Sequence, residues 1–460
     1  MGDRDDRVEK LASVLTDASL ANMVEVVLRA DGDAYEARSS TGSVRFTHGR
    51  GGTTVLERTG TDPLADLPHA HDEVAQFFDS PDAPDLAVVH TAAHRFHGNV
   101  GEHGALNVTQ RRAPLIAAGP GVRADGWVDG YARTVDVAPT VAALAGVEPG
   151  PGIGRWGQPL DDALLARQDG DVLDLVDDAA GQVVLVLWDG CNADALRAAI
   201  DDGEAPNASA LVERGTGLDG GLLASFPSAT LANHTTIGTG ALPGHSGILH
   251  NTWHHRASGV THDLLDLAQM FDACTHLAGG VETLHEAVKR SQPDAWTGST
   301  HEFCDRGADF SSFRSMATRE RLPFARHDEE FPRDGRWWEE SSRYQFMTRV
   351  DETALRCAID FWADDHPIPR FAFCSFALTD EAGHEGGPES DECRAAIRDC
   401  DERLGRLLVA IERRGVLDDT AILLVADHGM QTTDDLTDDW SDAVAGLDHV
   451  SVDDMFLYVS

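Results

Sequence analysis

Several segments of this 460-residue chain carry residue types suited to metal-assisted chemistry on phosphate. VVLVLWDG carries Asp189, FAFCSFALTDEAGH carries Asp380 and His384, and AILLVADHGM places Asp427 beside His428. FPSATLANH centres on Thr230, and Asn251 follows 21 residues later. One more histidine in a comparable setting, His103 in NVGEHGALN, stands near the start of the chain.

Each of the three aspartates follows an apolar run that reads as a buried strand. In open α/β sheets, ligands bind at the carboxyl ends of strands. Three carboxylates aimed at one crevice repel each other unless cations lie between them. Histidine nitrogens beside aspartate oxygens suit zinc, with manganese as the harder alternative. Two such ions could clamp the attacking and leaving oxygens of a phosphoryl transfer. Read alone, an aspartate at a strand end is more often a cap or a solvated turn; the convergence of segments carries the reading. Thr230 by itself reads as a buried helix cap. In this company it reads better as a nucleophile at a helix N-terminus, where backbone N–H groups favour negative charge. Asn251 is placed to donate its amide to a phosphoryl oxygen.

These segments resemble the alkaline phosphatase superfamily and, within it, the nucleotide pyrophosphatase/phosphodiesterase group. FPSATLANH and HSGILHN are similar to that group's pattern, in which the threonine is the nucleophile and the asparagine a phosphate ligand. The resemblance implies two divalent ions, one taking Asp189, Thr230, Asp427 and His428, the other Asp380, His384 and His103. It implies hydrolysis of phosphodiesters or nucleotide pyrophosphates through a phospho-threonine intermediate, with a small phosphoester, such as a nucleotide, as substrate. Leu231 and Ala232 replace a Phe-Pro pair of the family pattern, and Ser246 replaces a histidine, which bears on pocket shape. Phosphomonoesterase or phosphonate hydrolase activity on the same site is the enzymatic alternative, with Arg111 and Arg112 as candidates for a monoester's extra charge. A non-catalytic metal-binding protein is the alternative from another class. The Cys-x-Pro-x-Arg pattern of sulfatases is missing.

The order of the pieces departs from the family, in which the last histidine ligand follows the DHG motif. Here His103 precedes everything else, and RTVDVAPTVAALAGV after it resembles the family's terminal strand and helix. The expectation is a circular permutation. Residues 1–150 stand for the family's C-terminal part, 151–180 join the old termini, and 181–460 stand for its N-terminal part. The competing arrangement is two incomplete modules completing each other between chains.

The elements that must position these residues read as α/β. DLAVVH (85–90), APLIAAG (113–119), VVLVLW (183–188), FAFCSFAL (371–378) and AILLVA (421–426) read as buried parallel strands. Helical stretches at 135–146, 193–200 and 393–414 alternate with them, predicting a mainly parallel central sheet with helices on both faces, alkaline-phosphatase-like. Residues 20–60 alternate like an antiparallel hairpin at a sheet edge. Residues 147–180 are Pro- and Gly-punctuated and read as a linker. The aromatic-rich stretch 256–369 reads as an inserted cap. His90, His94 and His97 and the HAH at 69–71 fit no further metal site and read as loop histidines or as histidines supporting the ligands; His234 and His245 read as packing or hydrogen-bonding around the nucleophile loop, and His254–His255 and Glu381 are weaker candidates still.

Composition bounds the rest. There are 37 basic and 78 acidic residues, a net charge of −41, and only Lys10 and Lys289 among the basic residues are lysines. Such a surface repels nucleic acid and anionic membranes, so neither is an expected partner. A salt-rich cytoplasm that screens the self-repulsion is the expected setting. The seven cysteines show no CxxC spacing and read as reduced thiols. No apolar run reaches the 18 residues of a membrane span. Oligomeric state is not legible.

Overall fold

The three most apolar runs of the chain become three neighbouring strands. In the computed structural model, which describes residues 2–92, 98–317, 342–434, 440–447 and 449–460, the strand Gln182–Trp188 lies between Phe371–Phe376 and Thr420–Val425. It is parallel to both. All residues of the three strands are buried except Gln182, so both faces of the sheet are covered. That explains a continuous apolar run where a one-sided strand would alternate. One group of helices, Asp391–Arg413, Pro206–Glu213 and Ala193–Asp201, packs together. A second group joins Val137–Leu144 to Leu284–Ser291 and Thr230–Thr239. The fold class is thus mixed α/β, with an eight-stranded central sheet.

Register does the positioning. Trp188 pairs with Phe376 and Leu187 with Val425, so the three strands end level. The residues just beyond them, Asp189, Asp380 and Asp427, emerge along one edge.

Two of the runs expected as parallel strands are antiparallel. Leu115–Ala118 lies in the central sheet but runs against both its neighbours, Thr420–Val425 and Gly215–Leu218. Its first residue therefore sits at the edge where the parallel strands end, with Leu115 paired to Val425. The loop before it is delivered to the aspartates. Leu86–His90 belongs to a different, seven-stranded sheet, antiparallel to both Val24–Asp31 and Phe456–Val459. Alternate residues of this sheet pack in two separate cores. Val26, Leu28, Ala87 and Val89 join Val74 and Phe77 of the helix Ala70–Phe78. Val24, Val27, Leu86 and Val88 join Leu11 and Leu15 of the helix Gly2–Leu15. An antiparallel strand covered on both faces has the same apolar signature as a parallel one. The hairpin expected at 20–60 is a four-strand meander in this sheet, ending on the exposed strand Gly52–Gly60.

The stretch 151–180, expected as a linker, contains most of a small three-stranded sheet of Gly150–Gly154, Pro159–Ala163 and Arg167–Gln168. Leu165 reaches the main core and Arg155 pairs with Asp72. The stretch expected as a cap, 256–369, is distributed differently. Thr297–Thr300 and Phe310–Ser311 are strands of the central sheet, and the helix Ser342–Asp360 packs on Phe371–Phe376. Apolar residues such as Ala354, Leu355, Ala358 and Phe361 put that segment into the core. Phe324, Phe331, Trp337 and Trp338 lie outside the described residues, as do His94 and His97.

Candidate metal centre

The strand-end geometry gathers Asp189, Asp380 and Asp427 with His103, His384 and His428. His428 Nε2 is 3.1 Å from Asp427 Oδ2 and 3.7 Å from Asp189 Oδ1. His384 Nε2 is 3.4 Å from Asp380 Oδ2, and His103 Nε2 is 3.7 Å from Asp380 Oδ1. The His103 and His428 rings stack at 3.7 Å. Gly190 permits the closeness: at φ +63°, a Cβ there would lie 2.5 Å from Asp380 Oδ1.

The three histidines share one feature. Each Nδ1 donates to a backbone carbonyl: His103 to Ser228 at 2.9 Å, His384 to Gly101 at 2.8 Å and His428 to Gly429 at 2.9 Å. A carbonyl can only accept, so the hydrogen is on Nδ1 and the neutral form of each ring presents a lone pair at Nε2. That is the second-shell arrangement typical of metal-ligating histidine. At His384, burial is outweighed by Asp380 and Glu102, which raise the pKa. Asp189 Oδ1, Asp380 Oδ1 and Asp427 Oδ2 are buried without a hydrogen-bond partner among the described residues. Orphaned carboxylate oxygens facing imidazole lone pairs fit divalent cations. Among the described residues, three groups of three donors have their ligand atoms within 4.8 Å of one another: His103–Asp380–His384, Asp189–Asp380–His428 and Asp189–His234–Asp427.

Without a cation, the electrostatics are strained. Burial, with Asp427 and Asp380 adding to it, pushes the Asp189 carboxyl well above its ordinary range. Asp427 is raised as well, chiefly by burial. At Asp380 burial acts upward too, but His384, His103 and His428 together bring it below its ordinary value. Burial lowers His103 to about 3 and His428 to about 4, keeping both rings neutral and ready to ligate.

Thr230 is the first residue of the helix Thr230–Thr239, and its Oγ1 lies 3.4 Å from His428 Nε2. Asn251 accepts from the Leu231 backbone N–H through Oδ1 at 2.9 Å. This fixes which face of the amide turns away from the helix. The loop before Thr230 is pinned by the N-terminal half of the chain. Ser228 Oγ donates to the Ala105 carbonyl and accepts from the Gly104 N–H. Glu73 accepts from the Phe226 N–H, Gln76 donates to the Phe226 carbonyl, and Arg111 donates to the Ala224 carbonyl. His103 therefore reaches the other ligands within one chain.

Several expectations are revised by these contacts. Arg111 is fully buried on Glu73 and on the carbonyls of Ala224 and Pro68. Arg112 pairs with Asp194 and the Asp219 carbonyl. Arg111 is thus committed inside the protein, whereas Arg112 is paired at the surface with an exposed aspartate. His234, expected to pack or hydrogen-bond around the nucleophile loop, is in the donor cluster, and Glu302, which holds it at 2.8 Å, lies in no recognisable motif. A histidine four residues after the threonine, on its helix, was the available signal. The remaining decoys sit elsewhere. His69 meets Tyr131, His71 packs on Phe46, and His90 lies in the second sheet near Gly104. His245 binds Asp169 and Asp79, His254 and His255 contact Thr261 and Ser258, and Glu381 pairs with Arg343.

A family model described as type I phosphodiesterase / nucleotide pyrophosphatase matches residues 183–456. The chain belongs to this family. The match contains Asp189, Thr230, Asn251, Asp380, His384, Asp427 and His428, and leaves out His103. An uncharacterized pyrophosphatase/phosphodiesterase of Schizosaccharomyces pombe is 27% identical over 274 residues, 58% of this chain and 49% of its own. A venom phosphodiesterase of Crotalus durissus collilineatus is 26% identical over 213 residues, 45% of this chain and 22% of its own. Among solved structures, murine ectonucleotide pyrophosphatase/phosphodiesterase 5, an inactive variant in complex with AMP, gives a TM-score of 0.39 at 18% identity. It covers 54% of this chain and 57% of that one. The matches thus cover less than two thirds of each of these proteins: 49% of the yeast protein, 22% of the venom protein and 57% of the murine one.

Proposed function

We propose that this protein is a metal-dependent phosphohydrolase that cleaves phosphodiester or nucleotide pyrophosphate bonds through Thr230. The observation that carries the reading is the set of three Nδ1-anchored histidines turned toward three orphaned aspartate oxygens, with the Thr230 hydroxyl 3.4 Å from one of them. In this reading Asp189, Thr230, Asp427 and His428 would hold one divalent ion and Asp380, His384 and His103 the other, zinc by donor type. Bound there, the ions would supply charge neutralisation and a lowered pKa for the threonine hydroxyl.

The chain's own residues do the rest. Thr230 Oγ1 attacks phosphorus, the P–O bond to the leaving group breaks with the hydroxyl proton ending on the departing oxygen, and a phospho-threonine forms. The backbone N–H groups at the start of its helix favour the charge that develops on the phosphoryl oxygens. Asn251, oriented by its bond from Leu231, donates Nδ2 to a non-bridging oxygen. Water then cleaves the phospho-threonine and returns the proton to Oγ1.

The order of the segments supports a circularly permuted arrangement. The family match begins at residue 183, while the segment carrying His103 precedes it and packs on the nucleophile loop. The excess of acid supports a salt-rich, cytoplasmic setting. The test is turnover of bis-p-nitrophenyl phosphate against p-nitrophenyl phosphate in high salt with zinc or manganese. Faster diester turnover, lost in Thr230→Ala, supports the proposal. Faster monoester turnover moves the enzyme to the phosphatase branch. Turnover that survives in Thr230→Ala removes the threonine from the mechanism.

A further inference from the structure

The helix Leu378–Gly386 carries two of the expected ligands, Asp380 in its first turn and His384 one turn later. It follows the strand Phe371–Phe376 with a single residue between, Ala377, whose side chain has no atom that could cap it. Other helices take a cap from the residue just before them: Asn192, Thr283 and Ser390 each accept from a backbone N–H of the first turn. Thr379, the hydroxyl in the first turn of Leu378–Gly386, donates instead to the Asp189 carbonyl at 2.6 Å.

The acceptor comes from 26 residues upstream. Asp351, midway along the helix Ser342–Asp360, is fully buried and offers both oxygens. Oδ1 accepts from the Ala377 N–H at 2.9 Å, and Oδ2 accepts from the Leu378 N–H at 3.1 Å. The first N–H groups of a helix have no partner within it, and Leu378 is buried out of reach of water. A carboxylate there also meets the positive end of the helix dipole. Burial lifts the Asp351 pKa to about 6, with Arg403 and the two N–H bonds acting downward, so the group is charged at neutral pH.

The far end of the same helix is tied to the N-terminal segment. The Val100 N–H donates to the His384 carbonyl at 2.7 Å, and His384 Nδ1 donates to the Gly101 carbonyl at 2.8 Å. Asp380 and His384 lie between these two clamps. Asp189 and Asp427 instead follow strands paired directly in the central sheet.

We propose that Asp351 is a positioning residue for one of the two cation positions. By holding the start of Leu378–Gly386 it sets Asp380 and His384 against His103, and so governs the affinity of that position and not of the one at Asp189, Asp427 and His428. The assignment rests on the metal-dependent reading above.

The test is metal affinity, read independently of turnover. Metal-depleted Asp351→Asn and Asp351→Ala are titrated with zinc against a chelating dye, beside the parent and Leu355→Ala. Leu355 is buried one turn further along the same helix, so its truncation reports lost packing alone. The parent should bind two equivalents. Asp351→Asn keeps one acceptor and should weaken one equivalent about 10-fold, and Asp351→Ala keeps none and should weaken it about 100-fold. The other equivalent should hold its parental affinity in both. Zinc-loaded crystals of Asp351→Asn should lose anomalous occupancy beside His384 and keep it beside His428. Leu355→Ala should lower Tm with both equivalents retained. Parental affinity in both Asp351 variants, or an equal loss of both equivalents matched by Leu355→Ala, overturns the positioning role and leaves the phosphohydrolase reading standing. A parent that binds no metal overturns that reading and this one with it. If Asp351→Ala does not fold, the nearly isosteric Asp351→Asn decides.

Discussion

Removing the charge of Glu73 should destabilise the protein and disturb the nucleophile loop together. Its carboxylate is fully buried and accepts from Arg111 at 3.0 Å, Arg133 at 2.9 Å and the Phe226 N–H at 2.9 Å. In Glu73→Gln, Arg133 keeps Asp72 at 2.9 Å, but Arg111 is left with carbonyl partners only. Burial already presses the Arg111 guanidinium below its ordinary pKa, and Glu73 is the largest opposing influence. An uncompensated buried charge costs about 3–5 kcal/mol. Unfolding entropy of about 2.1 cal/mol/K per residue, taken over 460 residues, is about 1 kcal/mol/K, so Tm should fall by about 3–5 °C. Because Arg111 and Gln76 also hold Ala224 and Phe226, a shift of about 1 Å at Thr230 should cost about 100-fold in kcat. The assay is a thermal melt in high salt with steady-state kinetics on the same samples. Adding Arg111→Met should restore part of the Tm, since the stranded charge is gone. A Glu73→Gln protein that melts within about 1 °C of the parent, with kcat unchanged, would refute the argument.

Other outcomes follow from other contacts. Asn251→Ala removes both the amide donor and the acceptor for Leu231, so kcat should fall about 100- to 1,000-fold with KM little moved; equal kcat in steady-state assays would remove Asn251 from the mechanism. Gly190→Ala introduces a Cβ 2.5 Å from Asp380 Oδ1 at φ +63°, so metal affinity measured by competition with a chelating dye should drop while the melt changes less. His285 is buried, and both its ring nitrogens lack hydrogen-bond partners among the described residues. Burial lowers its pKa from 6.5 to about 3. Its contribution to stability is therefore fully present above pH 6.5 and is lost as pH falls toward 3, by about 1.4 kcal/mol per unit. In urea unfolding, His285→Phe should gain about 2 kcal/mol on the parent between pH 6.5 and pH 5, and an unchanged difference would sink the idea. With a net charge of −41, dilution from about 1 M to 0.1 M salt lengthens screening from about 3 to 10 Å, and Tm should fall reversibly.

Much of the site was legible because its chemistry is local. An aspartate within a few residues of a buried strand's carboxyl end lies near that end whatever the sheet's order, so Asp189, Asp380 and Asp427 could be placed from apolar runs alone. His428 and His384 came with their neighbours, and Thr230 and Asn251 came by resemblance over a short, gap-free stretch. His234 and Glu302 were not recoverable this way, since 68 residues separate them and the bond between them exists only once the strand Thr297–Thr300 joins the sheet. Arg111 misled because charge in a sequence says nothing about which partner saturates it.

The sequence by itself determined the α/β class, the donor types and the fact that they must converge, because burial and ligand chemistry depend on residue type and near neighbours. Only the tertiary structure decided strand direction. LAVVH and LIAA are as apolar as VVLVLW, yet one lies in a separate antiparallel sheet and the other runs backwards beside Thr420–Val425. Burial on both faces writes the same pattern for either direction. That reversal is what turns the loop ahead of Leu115 toward the strand ends and brings His103 within 3.7 Å of Asp380, across 277 residues of chain.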